Sequence, residues 1–186
     1  MAKSTLHDYG AKTDKSWAHQ YLHVYEALFE SVRTRAKNVL ELGIWEGHSL
    51  RMWRDYFSNA TVYGIDITAE RCGLMDDEER IIAGFYDGYT QQAIDAFGEL
   101  QFDVIVDDGP HTLDSQKYCA EHYSQLLTKN GILVIEDIPK PEWIPQIASV
   151  VPDEFAPYMY CVDRRIAPNR QSCNDELMFV IDKRYV

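Results

Sequence analysis

Residues Asn38-Val-Leu-Glu-Leu-Gly-Ile-Trp-Glu-Gly-His-Ser49 decide the fold. Asn38 to Ile44 is a short apolar run broken by a glycine turn, the pattern of a parallel strand buried on both faces. Ser49 to Phe57 follows at once with helical spacing. Working outward, the alternation repeats. Tyr21 to Val32 reads as an amphipathic helix, Thr61 to Ile67 as a second strand and Arg80 to Ala83 as a third. Thr90 to Leu100 reads as a helix, Phe102 to Asp108 as a fourth strand, Leu113 to Leu127 as a helix and Gly131 to Asp137 as a fifth strand. Glu142 to Val150 reads as a last helix. Phe155 to Val162 and Glu176 to Asp182 read as two strands with no helix between them, so the second is expected to run antiparallel. Alternating strands and helices imply right-handed crossovers and a parallel sheet covered on both faces. The expected fold is α/β: a Rossmann-like three-layer sandwich on a mostly parallel seven-stranded sheet with an antiparallel last strand. No Gly/Ser/Pro-rich linker divides the chain, so residues 1–186 read as one domain.

Composition narrows the function. The chain has 186 residues, with 18 Lys plus Arg against 30 Asp plus Glu and a net charge of −12. Such a chain repels phosphate backbones and anionic lipid, so neither nucleic acid nor a membrane is an expected partner. No apolar run approaches the ~20 residues of a membrane span. The opening Met1-Ala-Lys-Ser-Thr-Leu-His-Asp8 has no apolar signal core. Cys72, Cys119, Cys161 and Cys173 lack C-x-x-C spacing and read as free thiols in a reducing compartment, so a cytoplasmic location is expected.

In an open α/β sheet, ligands bind at the carboxyl ends of strands, where the strand order reverses. The first strand ends in Glu41, Gly43, Gly47 and Ser49, and its glycines permit a tight turn. The second strand ends in Asp66, whose carboxylate can accept both hydroxyls of a ribose. Trp45 replaces the middle glycine of a dinucleotide fingerprint, which disfavours a nicotinamide cofactor. The acidic turn, with Glu41 and Glu46, suits a ligand with a cationic end, such as S-adenosyl-L-methionine. The competing reading makes the glycines plain turn residues and Asp66 a strand-end cap.

The fourth strand ends Asp107-Asp108-Gly-Pro-His111 and the fifth ends Glu136-Asp137. Neighbouring strands lie ~4.8 Å apart, so these carboxylates crowd together. An oxygen-rich set suits Mg²⁺, Mn²⁺ or Ca²⁺ rather than zinc. Asp107 and Asp108 point to opposite faces and are expected to differ in role. His111, beside the acids, has the chemistry of a general base next to a metal ion. The alternative is a set of solvated strand-end acids and a helix-start histidine. His7, His19, His23, His48 and His122 are read as lacking such company, although His19 and His48 fall in segments expected to face the cleft.

Several stretches carry a resemblance: Tyr9-Gly-Ala-Lys-Thr-Asp-Lys-Ser16 with His19, Tyr21 and Tyr25-Glu26; Val39 to Leu50 with Trp53; Tyr63 to Ile67; Val106 to His111; and Val134 to Asp137. Over roughly residues 9–138 the chain resembles the class I S-adenosylmethionine-dependent methyltransferases. It is most similar to the metal-dependent sugar O-methyltransferases of the macrocin and mycinamicin type and to cephalosporin hydroxylase-like proteins. The resemblance implies Asp108, Glu136 and Asp137 as ligands of Mg²⁺ or Mn²⁺, with His111 as base and Asp108 catalytic beside it. It implies a donor site of Glu41, Gly43, Gly47, Ser49, Asp66, Asp87 and Asp107. Thr13 and Lys15 would lie in a segment folded over that site, within an N-terminal cover and helix spanning residues 1–37. One departure is Pro110, where the family usually has Ser.

The implied activity is methylation of a hydroxyl on a small-molecule acceptor, a sugar or another small polyol. The alternatives are a donor-binding module without turnover and a non-sugar acceptor. A homo-oligomer is left open. Arg164, Arg165 and Arg170 cluster between the last two strands of an acidic chain. Guanidinium forks suit phosphate or carboxylate, so an anionic sugar acceptor is one expectation. Pairing of these arginines with surface acids is the other.

Overall fold

The computed structural model describes residues 5–10, 12–75, 78–165 and 176–184. Its strands are β1 (Asn38–Leu42), β2 (Thr61–Asp66), β3 (Ile81–Phe85), β4 (Phe102–Asp107), β5 (Leu127–Ile138), β6 (Met159–Asp163) and β7 (Leu177–Asp182). They form one sheet in the order β3-β2-β1-β4-β5-β7-β6. The first five run parallel, and β7 lies antiparallel to both β5 and β6. The helices are α1 (Asp14–Trp17), α2 (Leu22–Phe29), α3 (His48–Tyr56), α4 (Gln91–Phe97), α5 (Leu113–His122) and α6 (Ile144–Ala148).

The alternation of side chains along each strand builds two cores, one on each face. Val39, Val104, Val106 and Val134 face Tyr25, Phe29, Trp53 and Phe57 of the α2–α3 layer. Leu40, Ile105, Leu133 and Ile135 face Cys119, Tyr123 and Ile147 on the α5–α6 side. Strand order reverses between β1 and β4. Register sets Leu42 beside Asp107 and Asp107 beside Ile135, which brings the ends of β1, β4 and β5 level.

Element boundaries differ from expectation where local chemistry intervenes. The final strand pair begins late, because Asp153–Tyr158 winds as a 3-10 turn and leaves only Met159–Asp163 in β6. The helix expected from Glu142 splits into a 3-10 turn at Pro141–Trp143 and α6, with Pro145 in the first turn of α6, where its missing N–H costs nothing. Strand β5 begins at Leu127 rather than Gly131, and a register irregularity opposite Phe102 and Val104 absorbs the extra residues.

Candidate active site

Glu41, Asp108 and Glu136 follow the same alternation onto the α2–α3 face at the carboxyl ends of three adjacent strands. Lys15, from α1, enters among them. Its ammonium donates to Asp108 Oδ2 and Glu136 Oε1 and stands 3.3 Å from Glu41 Oε1. Only 1 % of Lys15 is exposed. Burial works against its charge, but Asp108, Glu136 and Glu41 outweigh that and raise its pKa well above the ordinary value. The Tyr25 hydroxyl donates to Glu136 Oε2, so both oxygens of Glu136 are engaged. Burial raises the Glu136 carboxyl well above the carboxylate range, against the pull of Lys15. It also pushes Glu41 up to about 7, although Lys15 and the Ser49 hydroxyl, 2.6 Å from Oε2, favour the anion.

Asp108, His111 and Asp137 form the second constellation, each offering a ligand atom within 4.8 Å of the others. His111 Nε2 lies 3.6 Å from Asp108 Oδ1 and 3.8 Å from Asp137 Oδ2. Both separations exceed hydrogen-bond length, so the three groups face a common space. His111 and Asp137 hold φ of 52° and 57°, a left-handed backbone that non-glycine residues seldom adopt. Such strain concentrates at functional sites. The Tyr21 hydroxyl donates to Asp137 Oδ1 at 2.7 Å, and His19 Nδ1 stands 3.5 Å from the same oxygen. Burial foremost, and then the charge of Asp108, push Asp137 up to about 7 against the pull of His111.

A cleft of about 580 Å³ opens beside this constellation. Thr13, Gly43, Ser49, Asp66, Asp87 and His111 contribute to its walls. Gly43 has φ of 93°, and a Cβ there would lie 1.9 Å from the Asp108 carbonyl oxygen. Gly47, at φ 78°, caps α3. Asp66 Oδ2 accepts the backbone N–H of Ile44 at 2.8 Å and of Trp45 at 3.1 Å, while Oδ1 accepts that of Thr68 at 3.2 Å. Asp66 therefore braces the glycine loop as well as facing the cleft. Asp87 Oδ1 accepts the Tyr89 N–H at 2.9 Å.

Several residues expected at the donor or metal site stand behind the cleft wall instead. Glu41 is fully buried behind Ser49. Asp107 turns to the opposite face, where Oδ1 accepts the Tyr89 hydroxyl and the Gly109 N–H, and burial pushes it up to about 7. Lys15 sits in the acid cluster, not over the cleft. Glu136 is buried, with its two oxygens accepting from Lys15 and Tyr25. His19 does have an acidic neighbour, in contrast to the expectation from sequence. It lies against Asp137 and stacks on Tyr21 with ring centroids 5.1 Å apart. The resemblance gives Tyr21 and Tyr25 no role. Tyr21 and Tyr25, four residues apart, place their hydroxyls on one face of the helix start. Tyr89 carried no signal in the sequence.

Of the arginine cluster, Arg165 is forked on Asp163, with Nε at 3.0 Å and a terminal nitrogen at 2.6 Å. Arg164 donates its backbone N–H to Glu176. Arg170 lies outside the described residues, as does Cys173. Cys72, Cys119 and Cys161 are free thiols. Among the described residues, no helix is long and apolar enough to cross a membrane.

Comparison with known proteins agrees with this architecture. Residues 40–138 match the model of a family described as a methyltransferase domain. An 8-demethyl-8-alpha-L-rhamnosyl tetracenomycin-C 2'-O-methyltransferase of Streptomyces olivaceus is 31 % identical over 142 residues, covering 70 % of this chain and 36 % of the relative. A mycinamicin VI 2''-O-methyltransferase of Micromonospora griseorubida is 29 % identical over 134 residues, covering 67 % and 33 %. The chain thus spans about a third of the length of the curated relatives it matches. Among solved structures, the MycE methyltransferase in complex with Mg, SAH and mycinamycin VI superposes with a TM-score of 0.64 at 26 % identity, covering 78 % of this chain and 42 % of that one. The glycine loop, the reversal between β1 and β4 and the matched span together place this chain in the methyltransferase domain family.

Proposed function

We propose that this chain transfers a methyl group from S-adenosyl-L-methionine to a hydroxyl of a sugar or another small polyol, assisted by Mg²⁺ or Mn²⁺. The observation that carries the reading is the convergence of Asp108, His111 and Asp137 at the rim of a cleft whose other walls bear Gly43 and Asp66. The residues fit both groups. A cleft of about 580 Å³ has the size of a small-molecule site. Its acidic wall suits a donor with ammonium and sulfonium charges. Asp108 and Asp137 supply hard oxygen ligands, and Mg²⁺ is commonly held by one or two carboxylates while water and substrate oxygens complete its shell. Similarity to a rhamnosyl tetracenomycin-C O-methyltransferase and a mycinamicin VI O-methyltransferase supports the same reaction class.

The donor supplies an electrophilic methyl on sulfur, and the divalent ion supplies charge that favours an ionised acceptor hydroxyl. The chain does the rest. Asp108 and Asp137 would hold the ion, and His111 Nε2 would take the hydroxyl proton as the C–O bond forms and the C–S bond breaks. His111 is a third exposed on the cleft side, within reach of an acceptor. Asp66 braces the glycine loop and lines the cleft, where its carboxylate would accept the ribose hydroxyls of the donor. Strand-end rigidity supplies the alignment that in-line transfer requires. The anionic-acceptor reading loses Arg165 to Asp163, so a neutral sugar hydroxyl is the acceptor favoured here. Titration calorimetry with S-adenosylhomocysteine and with NAD tests the donor assignment. Saturable binding of the first and none of the second is expected. The reverse result would remove the methyltransferase reading.

A further inference from the structure

We propose that Gln116 is a positioning residue for the metal site: from the opposite face of the sheet, its side-chain amide fixes a β-bulge at Glu136–Asp137 that turns both acids onto the α2–α3 face. The inference rests on the metal-assisted reading above.

Strand alternation poses the problem. Successive residues of a strand point to opposite faces. Along β5, Val134 faces the α2–α3 layer and Ile135 the α5–α6 layer. Glu136 returns to the α2–α3 side, where it meets Tyr25. Asp137 should then point toward α5, as Asp107 does on β4. Instead it points the same way as Glu136 and accepts the Tyr21 hydroxyl. Ile138 faces the α5–α6 layer again. The register accounts for this. Ile135 pairs with Phe179 and Ile138 with Leu177, so three steps on β5 match two on β7. The extra residue is a bulge, and Asp137 absorbs it with a left-handed φ of 57°. Bulges re-aim side chains, and this one brings Asp137 to Asp108 and His111.

A bulge interrupts the ladder, and its buried carbonyls need partners. Gln116 donates to both. Its side chain reaches in from α5, and Nε2 lies 3.2 Å from the Glu136 carbonyl oxygen and 3.4 Å from that of Asp137. Gln116 is 1 % exposed. The two acceptors fix the orientation of the amide, because its own oxygen turned inward would oppose both. Among the described residues, Oε1 has no hydrogen-bond partner. An apolar side chain of similar size would fill the same space without that cost. The residue is explained by its donor and not by its packing. The start of α5 is itself fixed, since the Thr112 hydroxyl accepts the Ser115 N–H at 3.2 Å. Gln116 therefore ties the loop carrying Asp108 and His111 to the strand end carrying Asp137.

Gln116→Met keeps the length of the side chain and removes the donor. Mn²⁺ titration, followed by electron paramagnetic resonance of the free ion, is compared with S-adenosylhomocysteine binding in EDTA, both well below the melting temperature. Groups that orient a metal ligand typically contribute about 10–100-fold in affinity, so Gln116→Met is expected to weaken Mn²⁺ binding at least about tenfold. S-adenosylhomocysteine affinity should stay within about twofold, because Gly43 and Asp66 belong to the ends of β1 and β2. A smaller loss of Mn²⁺ affinity, even with a lower melting temperature, would make Gln116 a packing residue and overturn the proposal. Parallel losses for Mn²⁺ and S-adenosylhomocysteine would overturn it as well, as a general loosening of the fold. A parent that binds no Mn²⁺ would remove the metal-assisted reading along with it. Should Gln116→Met fail to fold, nuclear magnetic resonance of the parent decides. The Gln116 side-chain amide protons are expected to be protected from exchange and to shift when Mg²⁺ is added. Rapid exchange, or no shift at saturating Mg²⁺, would overturn the proposal.

Discussion

Gly43 and Asp108 touch backbone to backbone: a Cβ on Gly43 would sit 1.9 Å from the Asp108 carbonyl oxygen. The loop that would receive the donor and the loop that carries the acids are therefore a single packed unit. Gly43→Ala forces a left-handed alanine into that contact. Strain and overpacking each cost about 1–3 kcal/mol, so a loss of about 3 kcal/mol or more is expected in denaturant unfolding. Donor affinity should fall with it, because the loop must move away from Asp108. An alanine variant as stable as the parent would show that the two loops are not locked together.

Asp66 has two tasks, and its substitution should show both. The carboxylate accepts three backbone N–H groups around the glycine loop and also faces the cleft. Hydrogen bonds to a charged group contribute about 1.5–3 kcal/mol. Asp66→Ala is expected to lower unfolding stability on that scale and to weaken S-adenosylhomocysteine binding. Weakened binding with unchanged stability would assign Asp66 to the ligand alone.

Buried carboxyls give the stability a direction with pH. Burial pushes Glu41 and Asp107 up to about 7 in the folded chain, from near 4 when unfolded. Between those values the folded state binds more protons than the unfolded one. Their contribution is complete below about pH 4 and is lost as pH rises through about 7. In EDTA, the urea midpoint should be higher at pH 5 than at pH 8, and Asp107→Asn should flatten that dependence. A midpoint that rises across the range would mean that these carboxyls ionise freely.

His111 is assigned to the proton and the carboxylates to the ion, and the two roles separate experimentally. His111→Ala should lower turnover by about 10²–10⁴, the usual contribution of a positioned base. Its Mn²⁺ affinity should stay within a few-fold of the parent. A large loss of Mn²⁺ binding would make His111 a ligand instead.

Much of this was legible in the sequence because period and punctuation are local properties. The βα unit at Asn38–Ser49 and the strand-end positions of Asp66, Asp108 and Asp137 follow from apolar runs that stop at a glycine or an acid. The antiparallel β7 followed from a missing helix. What the sequence did not disclose depended on contacts between distant segments. Lys15 lies 93 residues from Asp108 and 121 from Glu136, and nothing in its own neighbourhood marks it as their counter-ion. The split between Asp107 and Asp108 followed from strand alternation, but the Tyr89 hydroxyl that receives Asp107 did not. Nothing near His19 in the sequence marks its acidic neighbour, Asp137, which comes from the distant strand β5.

The most direct test of the central claim is release of S-adenosylhomocysteine in EDTA and after metal is restored. The protein, S-adenosylmethionine and a panel of glycosides and polyols would be incubated with chelator, then with excess Mg²⁺ or Mn²⁺. Product that forms with at least one acceptor, vanishes in EDTA and returns with either ion is the predicted result. Methyl transfer at full rate in EDTA would contradict the account, leaving Asp108 and Asp137 without the role assigned to them.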